Sequence, residues 1–250
     1  MRLTARHAAL AALLIAASPA AFAYEFVPTE GEFYSWPAYC RAKYVNTPIG
    51  EASQFARVIS QDQVSAARAA TGEAVFLHVH HYCSGVVWVQ RGKAEPDPQQ
   101  RKFFFTNAVG DLSYFTARVP PESGIMAKAL YSLAEAYNGL GDRTTAMQTL
   151  TEAVQSHPEN ASTHVALGLF LRNNKDLAGA LAALEHGVQV IGDSASAELD
   201  YDLALVLLES DRKEEAVKYA RKAYELGYPL PGLRMKLARM GLWNPDLARK

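Results

Sequence analysis

The sequence predicts an all-α protein built as an antiparallel helix-pair solenoid, with an aromatic-rich helical segment at its N-terminal end. Two observations carry that prediction. Ala146, Ala180 and Ala216 fall 34 and 36 residues apart, each inside the same pattern of leucines, a mid-unit turn and a second apolar run. Each such unit reads as two short amphipathic helices that bury their apolar faces only by stacking on their neighbours. Composition agrees: 49% hydrophobic and 20% charged residues are globular values, neither disordered nor fibrous.

Charge narrows the partners. Lys plus Arg number 25 against 26 Asp plus Glu, so the chain lacks the basic field that nucleic acid or an anionic membrane requires.

Residues 1–23 read as a cleaved export signal. Arg2 and Arg6 precede an apolar core from Ala8 to Ala17, and Ala21-Phe22-Ala23 fits the small-x-small cleavage rule, so the mature chain is expected to begin at Tyr24. The apolar run is shorter than the ~20 residues of a spanning helix, and no other stretch is long enough to span. The expected location is therefore periplasmic or secreted. Export in turn favours pairing Cys40 with Cys83, the chain's two cysteines, as one disulfide; two buried thiols packed as small hydrophobes are the alternative.

Residues 24–71 form the aromatic-rich segment, with Phe26, Phe33, Tyr34, Trp36, Tyr39 and Tyr44. An extended stretch is expected to lead into a short helix at Pro37, since proline is tolerated at a first helical position. The rings are read as bolts fastening a terminal segment to a core. Asn46 to Gly50 is turn chemistry, and Glu51 to Ala70 carries Phe55, Val58, Ile59 and Val64 at spacings of one broken helix or two short ones.

Residues 72–121 read as a worn first hairpin. Glu73 to Gln90 is apolar on nearly every face, as a buried helix is, although Val86 to Val89 would also suit a strand. Asp97-Pro98, a cap followed by a first-turn proline, tilts the reading to helix. So do Phe104, Ala108, Leu112 and Phe115 at helical spacing, before Pro120-Pro121 ends the second arm.

Residues 122–228 hold three clear units. Counting from Ala127, Leu133 falls at position seven, Ala134 at eight, Tyr137 at eleven, Gly141 at fifteen, Ala146 at twenty, Leu150 at twenty-four, Ala153 at twenty-seven and Pro158 at thirty-two. This pattern resembles a tetratricopeptide repeat, the unit of a TPR-like superhelix. The second unit, from Ala161, keeps Leu167, Gly168, Leu171, Ala180 and Leu184 but has Gly187 at twenty-seven and Gly192 at thirty-two. The third, from Ala197, keeps Leu203, Ala204, Leu207, Ala216, Ala220 and Ala223, with Tyr228 at the proline position. Residues 229–250 supply a capping helix and tail, with Leu233, Leu237 and Met240 expected on one face and Arg234, Lys236 and Arg239 on the other.

The resemblance implies a concave surface lined by repeat positions two, five, nine and twelve. Here those are Lys128, Tyr131, Glu135 and Asn138; Ser162, Val165, Leu169 and Arg172; Glu198, Tyr201, Leu205 and Leu208. The stripe of Tyr131, Val165, Leu169, Tyr201 and Leu205 is apolar with two phenols, suited to an amphipathic helix or an extended peptide with hydrophobic anchors. It lacks the lysine-and-asparagine clamp by which some relatives hold a chaperone's terminal carboxylate. The same residues could instead pack against the N-terminal segment of their own chain.

The leading reading is thus an exported scaffold or adaptor for a protein or peptide segment in envelope assembly or trafficking, with no enzymatic activity and no cofactor. There is no nucleophile elbow, zinc-protease helix or phosphate loop in the sequence. The alternative is a metal- or redox-responsive protein using His78-Val79-His80-His81-Tyr82-Cys83. His78 and His81 share one helical face there, and His80 and Cys83 another, so His78 and His81 are weak ligand candidates. Asn160-Ala161-Ser162 fits the glycosylation sequon and is read as a helix cap.

Overall fold

The computed structural model describes residues 26–192 and 196–243. The expected signal and its cleavage point at Ala23 lie outside the described residues. Those residues form thirteen helices and no strand.

The N-terminal segment is more helical than its composition predicts. Helix α1 (Glu30–Ser35) stands where an extended stretch was expected, because Thr29 and Glu32 close a reciprocal capping box: Glu32 N–H donates to Thr29 Oγ1 and Thr29 N–H to Glu32 Oε2. After Pro37 come α2 (Ala38–Val45) and α3 (Pro48–Glu51). Turns then lead to α4 (Gln61–Thr71), opened by a second capping box between Ser60 and Gln63. Phe26, Phe33, Trp36, Tyr44 and Phe55 are buried together, and the rings of Phe33 and Phe55 stack at 4.0 Å. Among the described early aromatics Tyr34 alone stays well exposed.

Helix α5 (Glu73–Ala94) and helix α6 (Pro98–Thr116) pack as a long hairpin, so Val86 to Val89 belong to a helix. The hairpin uses the device of the later repeats. A Cβ on Gly85 would stand 2.5 Å from Leu112 Cγ, as one on Gly168 would stand 2.6 Å from Leu184 Cγ. In both, a missing side chain admits a leucine from the partner helix. The buried position on α6 is Phe105; Phe104 lies one residue off that face, half-buried and stacked on Trp88. The disulfide between Cys40 and Cys83, with Cα atoms 5.8 Å apart, fastens α2 to α5.

Three pairs follow: α7 (Met126–Gly139) with α8 (Arg143–Ser156), α9 (Ala161–Asn173) with α10 (Leu177–Ile191), and α11 (Ala197–Glu209) with α12 (Lys213–Glu225). Helix α5 packs on α7, α7 on α9 and α9 on α11, which stacks the pairs into a solenoid. The interlocking positions Ala134, Ala146, Leu150, Ala180, Leu184, Ala204, Ala216 and Ala220 are all sealed; each such leucine contributes roughly 2 kcal/mol by burial.

The mid-unit turn needs a left-handed residue in every repeat. Gly141 meets that with φ +85°, whereas Lys175 and Asp211 occupy the same position with φ +67° and +59° at a steric cost that glycine avoids. The departure at Gly187 also has a cause. His164, fully buried, lies over it, and a Cβ there would come within 2.7 Å of His164 Cγ. The first and third units have Leu130 and Asp200 where His164 stands, and tolerate alanine at twenty-seven.

Helix α13 (Gly232–Arg239) closes the described chain, burying Leu233 and Leu237. Met240, expected on the same face, is 44% exposed.

A candidate interaction face on the first helices

The first helix of each pair, α5, α7, α9 and α11, contributes one strip to a common face. The apolar stripe expected there is mostly internal. Val165, Tyr201 and Leu208 are 4%, 8% and 7% exposed and belong to the C-terminal core. Tyr201 lies parallel to Tyr228 at 4.1 Å, and its hydroxyl lies close to the backbone of Gly232 at the start of α13. The capping helix thus takes the ring the sequence assigned to a ligand. Leu169, Leu205 and Ser162 are partly buried, and Lys128 and Glu198 reach solvent.

Polar side chains cross the seams between these helices. At the first seam Lys93 of α5 pairs with Glu135 of α7. Tyr131 Oη donates to Glu135 Oε1 at 3.0 Å and accepts from Asn173 Nδ2 of α9 at 2.8 Å. Burial, then the charge and hydrogen bond of Glu135, push the Tyr131 phenol far above its ordinary range, so it stays a donor at any physiological pH. At the next seam Arg172 of α9 forks onto Glu209 of α11, with Nε on Oε2 at 2.8 Å and Nη2 on Oε1. That hydrogen-bonded pairing raises the Arg172 pKa and lowers that of Glu209, both held charged.

These contacts place the predicted residues. Tyr131, Glu135 and Arg172 stand on the face, already committed to neighbours within the chain. Asn138 lines a cavity of about 380 Å³ with Lys93, Glu135, Asn173 and the rings of Phe105 and Phe170. Lys93, Asn173 and Glu209 went unread in the sequence because they lie near the ends of their helices, beyond the positions by which the repeat pattern is recognised. Asp202 was also missed. It is one residue past the expected Tyr201, and helical spacing puts it in line with Glu198, Leu205 and Glu209.

Among the described residues the N-terminal segment does not lie over Leu169 or Leu205. Its buried residues pack into one core with α5, the end of α6 and the start of α7, through Val79, Cys83, Val87, Phe115, Met126 and Ala129.

The histidine run is occupied by structural contacts. His81 Nδ1 meets Asp111 Oδ1 at 2.7 Å, and Ser84 Oγ donates to Asp111 Oδ2. His78 lies edge-on to Tyr114 at 5.6 Å, and Cys83 is in the disulfide. Burial, followed by the neighbouring charges of His81, Lys43 and His78, lowers the His80 pKa to about 2. Among the described residues no group of three or more His, Cys, Asp or Glu could hold a metal ion. Asn160 caps α9 by accepting from Ser162 N–H at 3.0 Å. Among the described residues no helix is long and apolar enough to cross a membrane.

Two tetratricopeptide-repeat family models match the chain, one over residues 128–160 and one over 197–226, in agreement with the helix pairs α7/α8 and α11/α12. No curated protein sequence matches the chain. Among solved structures the chain is similar to TTC0263, a thermophilic TPR protein of Thermus thermophilus. That match has 20% identity and a TM-score of 0.44, covering 70% of this chain and 99% of that one. It is also similar to YrrB, described as a TPR protein with an unusual peptide-binding site, at 18% identity and TM-score 0.39, covering 71% and 79%. A MamA double mutant aligns at 19% identity and TM-score 0.41, covering 64% and 84%.

Proposed function

Because this chain is a tetratricopeptide-repeat protein, and such repeats are scaffolds for protein–protein interaction, we propose that it is an exported, periplasmic adaptor that binds a protein segment across its first helices, in envelope assembly or trafficking. The observation that carries the reading is the face itself. Leu169 and Leu205, partly buried against the core, keep part of their surface open on adjacent first helices, beside the Arg172–Glu209 fork. Apolar anchors flanked by fixed polar groups suit recognition of a helix or an extended segment. The side chains on this face serve binding and positioning.

The test is to replace Leu169 and Leu205 together by serine, then measure partner capture from envelope extract alongside helical circular dichroism. Capture should disappear while the spectrum holds. Undiminished capture by the folded double variant would remove the face from the account. Export is tested separately by locating the full chain after fractionation and sequencing its mature N-terminus, expected at Tyr24.

A further inference from the structure

Helix α11 carries four acids, Glu198, Asp200, Asp202 and Glu209, and no base. Glu209 takes the Arg172 fork, Asp200 lies in the field of Lys222 from α12, and Asp202 feels only the charge of the same Arg172, already paired to Glu209. Glu198 and Asp202 make no ion pair or hydrogen bond with a described residue. They sit four residues apart and continue through Leu205 to Glu209, one stripe along the helix.

Asp202 is the unusual member. It is only 7% exposed, yet its oxygens are not among the sealed polar atoms that lack a partner, so the sunken carboxylate still opens to solvent. Burying a carboxylate without a counter-ion costs folding free energy. The groups facing it are Glu198 on its own helix, which adds negative charge, and Arg172 on α9, which is tied to Glu209. The Tyr228 phenol beyond α12 is pushed up to about 12 by burial and then by Asp202 and Glu198, so both charges bear on one spot. Tyr201, covered by its stack on Tyr228, closes the inner side of this spot, so an incoming group meets the carboxylates rather than a ring face.

We propose that Glu198 and Asp202 receive the cationic side chain, lysine or arginine, of the bound protein segment, with Leu205 and Leu169 contacting an apolar residue next to it. This inference rests on the binding face proposed above and specifies its partner: a segment pairing a basic with an apolar residue. A ligand cation completes the charge balance that the fold leaves open at Asp202.

The experiment uses the full chain and fluorescence anisotropy with labelled ten-residue peptides alternating leucine with lysine, glutamine or glutamate. The lysine peptide is expected to bind about tenfold tighter than the glutamine peptide and the glutamate peptide least. The lysine advantage should grow between pH 6 and pH 8 as Asp202 ionises. D202N and E198Q should each reduce it about tenfold, while E214Q on the exposed side of α12 leaves it unchanged. D202N removes a buried charge, so its melting midpoint should equal or exceed that of the parent, which separates lost binding from lost folding. Equal binding of lysine and glutamine peptides, or a lysine preference that survives both substitutions, would overturn the cation receptor. Charge-blind binding that the Leu169 and Leu205 double variant abolishes overturns it too, but leaves the proposed face standing.

Discussion

Breaking the Cys40–Cys83 bridge should destabilise the N-terminal end of the solenoid by an amount set mainly by chain length. The two cysteines are 43 residues apart, and closing a loop of that size removes about 4 kcal/mol of unfolded-chain entropy at 25 °C in the chain-entropy model. Both side chains are 1% exposed, so C40A/C83A also loses a little packing. For a chain of this size the loss lowers the melting midpoint by roughly 8–16 °C. Because repeats contact only their neighbours, hydrogen exchange should rise most in α1 to α5 and least in α11 and α12. Urea and thermal unfolding followed by circular dichroism, with and without reductant and on the double variant, measure the effect. Coincident unfolding curves in all three cases, or two free thiols in the denatured, non-reduced protein, would show that no bridge holds this end of the solenoid together.

Three further outcomes follow from the repeats. Replacing Lys175 or Asp211 by glycine should raise stability by about 1 kcal/mol each by relieving their left-handed backbone, and Gly141→Ala should lower it comparably, as read in chemical denaturation. Gly187→Ala should cost about 1–3 kcal/mol because its Cβ meets His164, and H164A should recover part of that loss in a double-mutant cycle. Burial, then the charge of Glu198, pushes the Asp202 carboxyl up from 3.8 to about 7 in the fold. Its protonated form therefore stabilises the fold fully below pH 4, and that contribution is lost as pH rises through 7. The slope is about 1.4 kcal/mol per pH unit within that window, and D202N should flatten the stability profile measured from pH 4 to 8.

The repeat register was legible because its residues answer to geometry along the chain. Small residues at eight and twenty face each other across a pair, and the structure seals Ala134 with Ala146 and Ala204 with Ala216. The same rule reached the worn hairpin, where Gly85 admits Leu112. The candidate face was only partly legible, because its residues answer to neighbours distant in sequence. Tyr201 fits a ligand-facing position by count, but α13 and Tyr228 cover it. Lys93 meets Glu135 across the α5/α7 seam, whose two helices the sequence pattern does not place in register. Helix α1 escaped a reading by proline and aromatics because its start is set by the Thr29–Glu32 capping box. The His78 to Cys83 run suggested ligands by residue type, whereas packing assigns His81 to Asp111 and Cys83 to the disulfide.

Photocrosslinking in cells reads whether partners engage the first-helix face as proposed. A photoreactive residue placed at Leu169 or Leu205 should yield a discrete crosslinked partner, while the same residue at Gln148 or Lys218, exposed on the second helices α8 and α12, should yield none. Crosslinks of equal yield from the second-helix positions, or from those positions alone, would show that partners do not bind through the first helices.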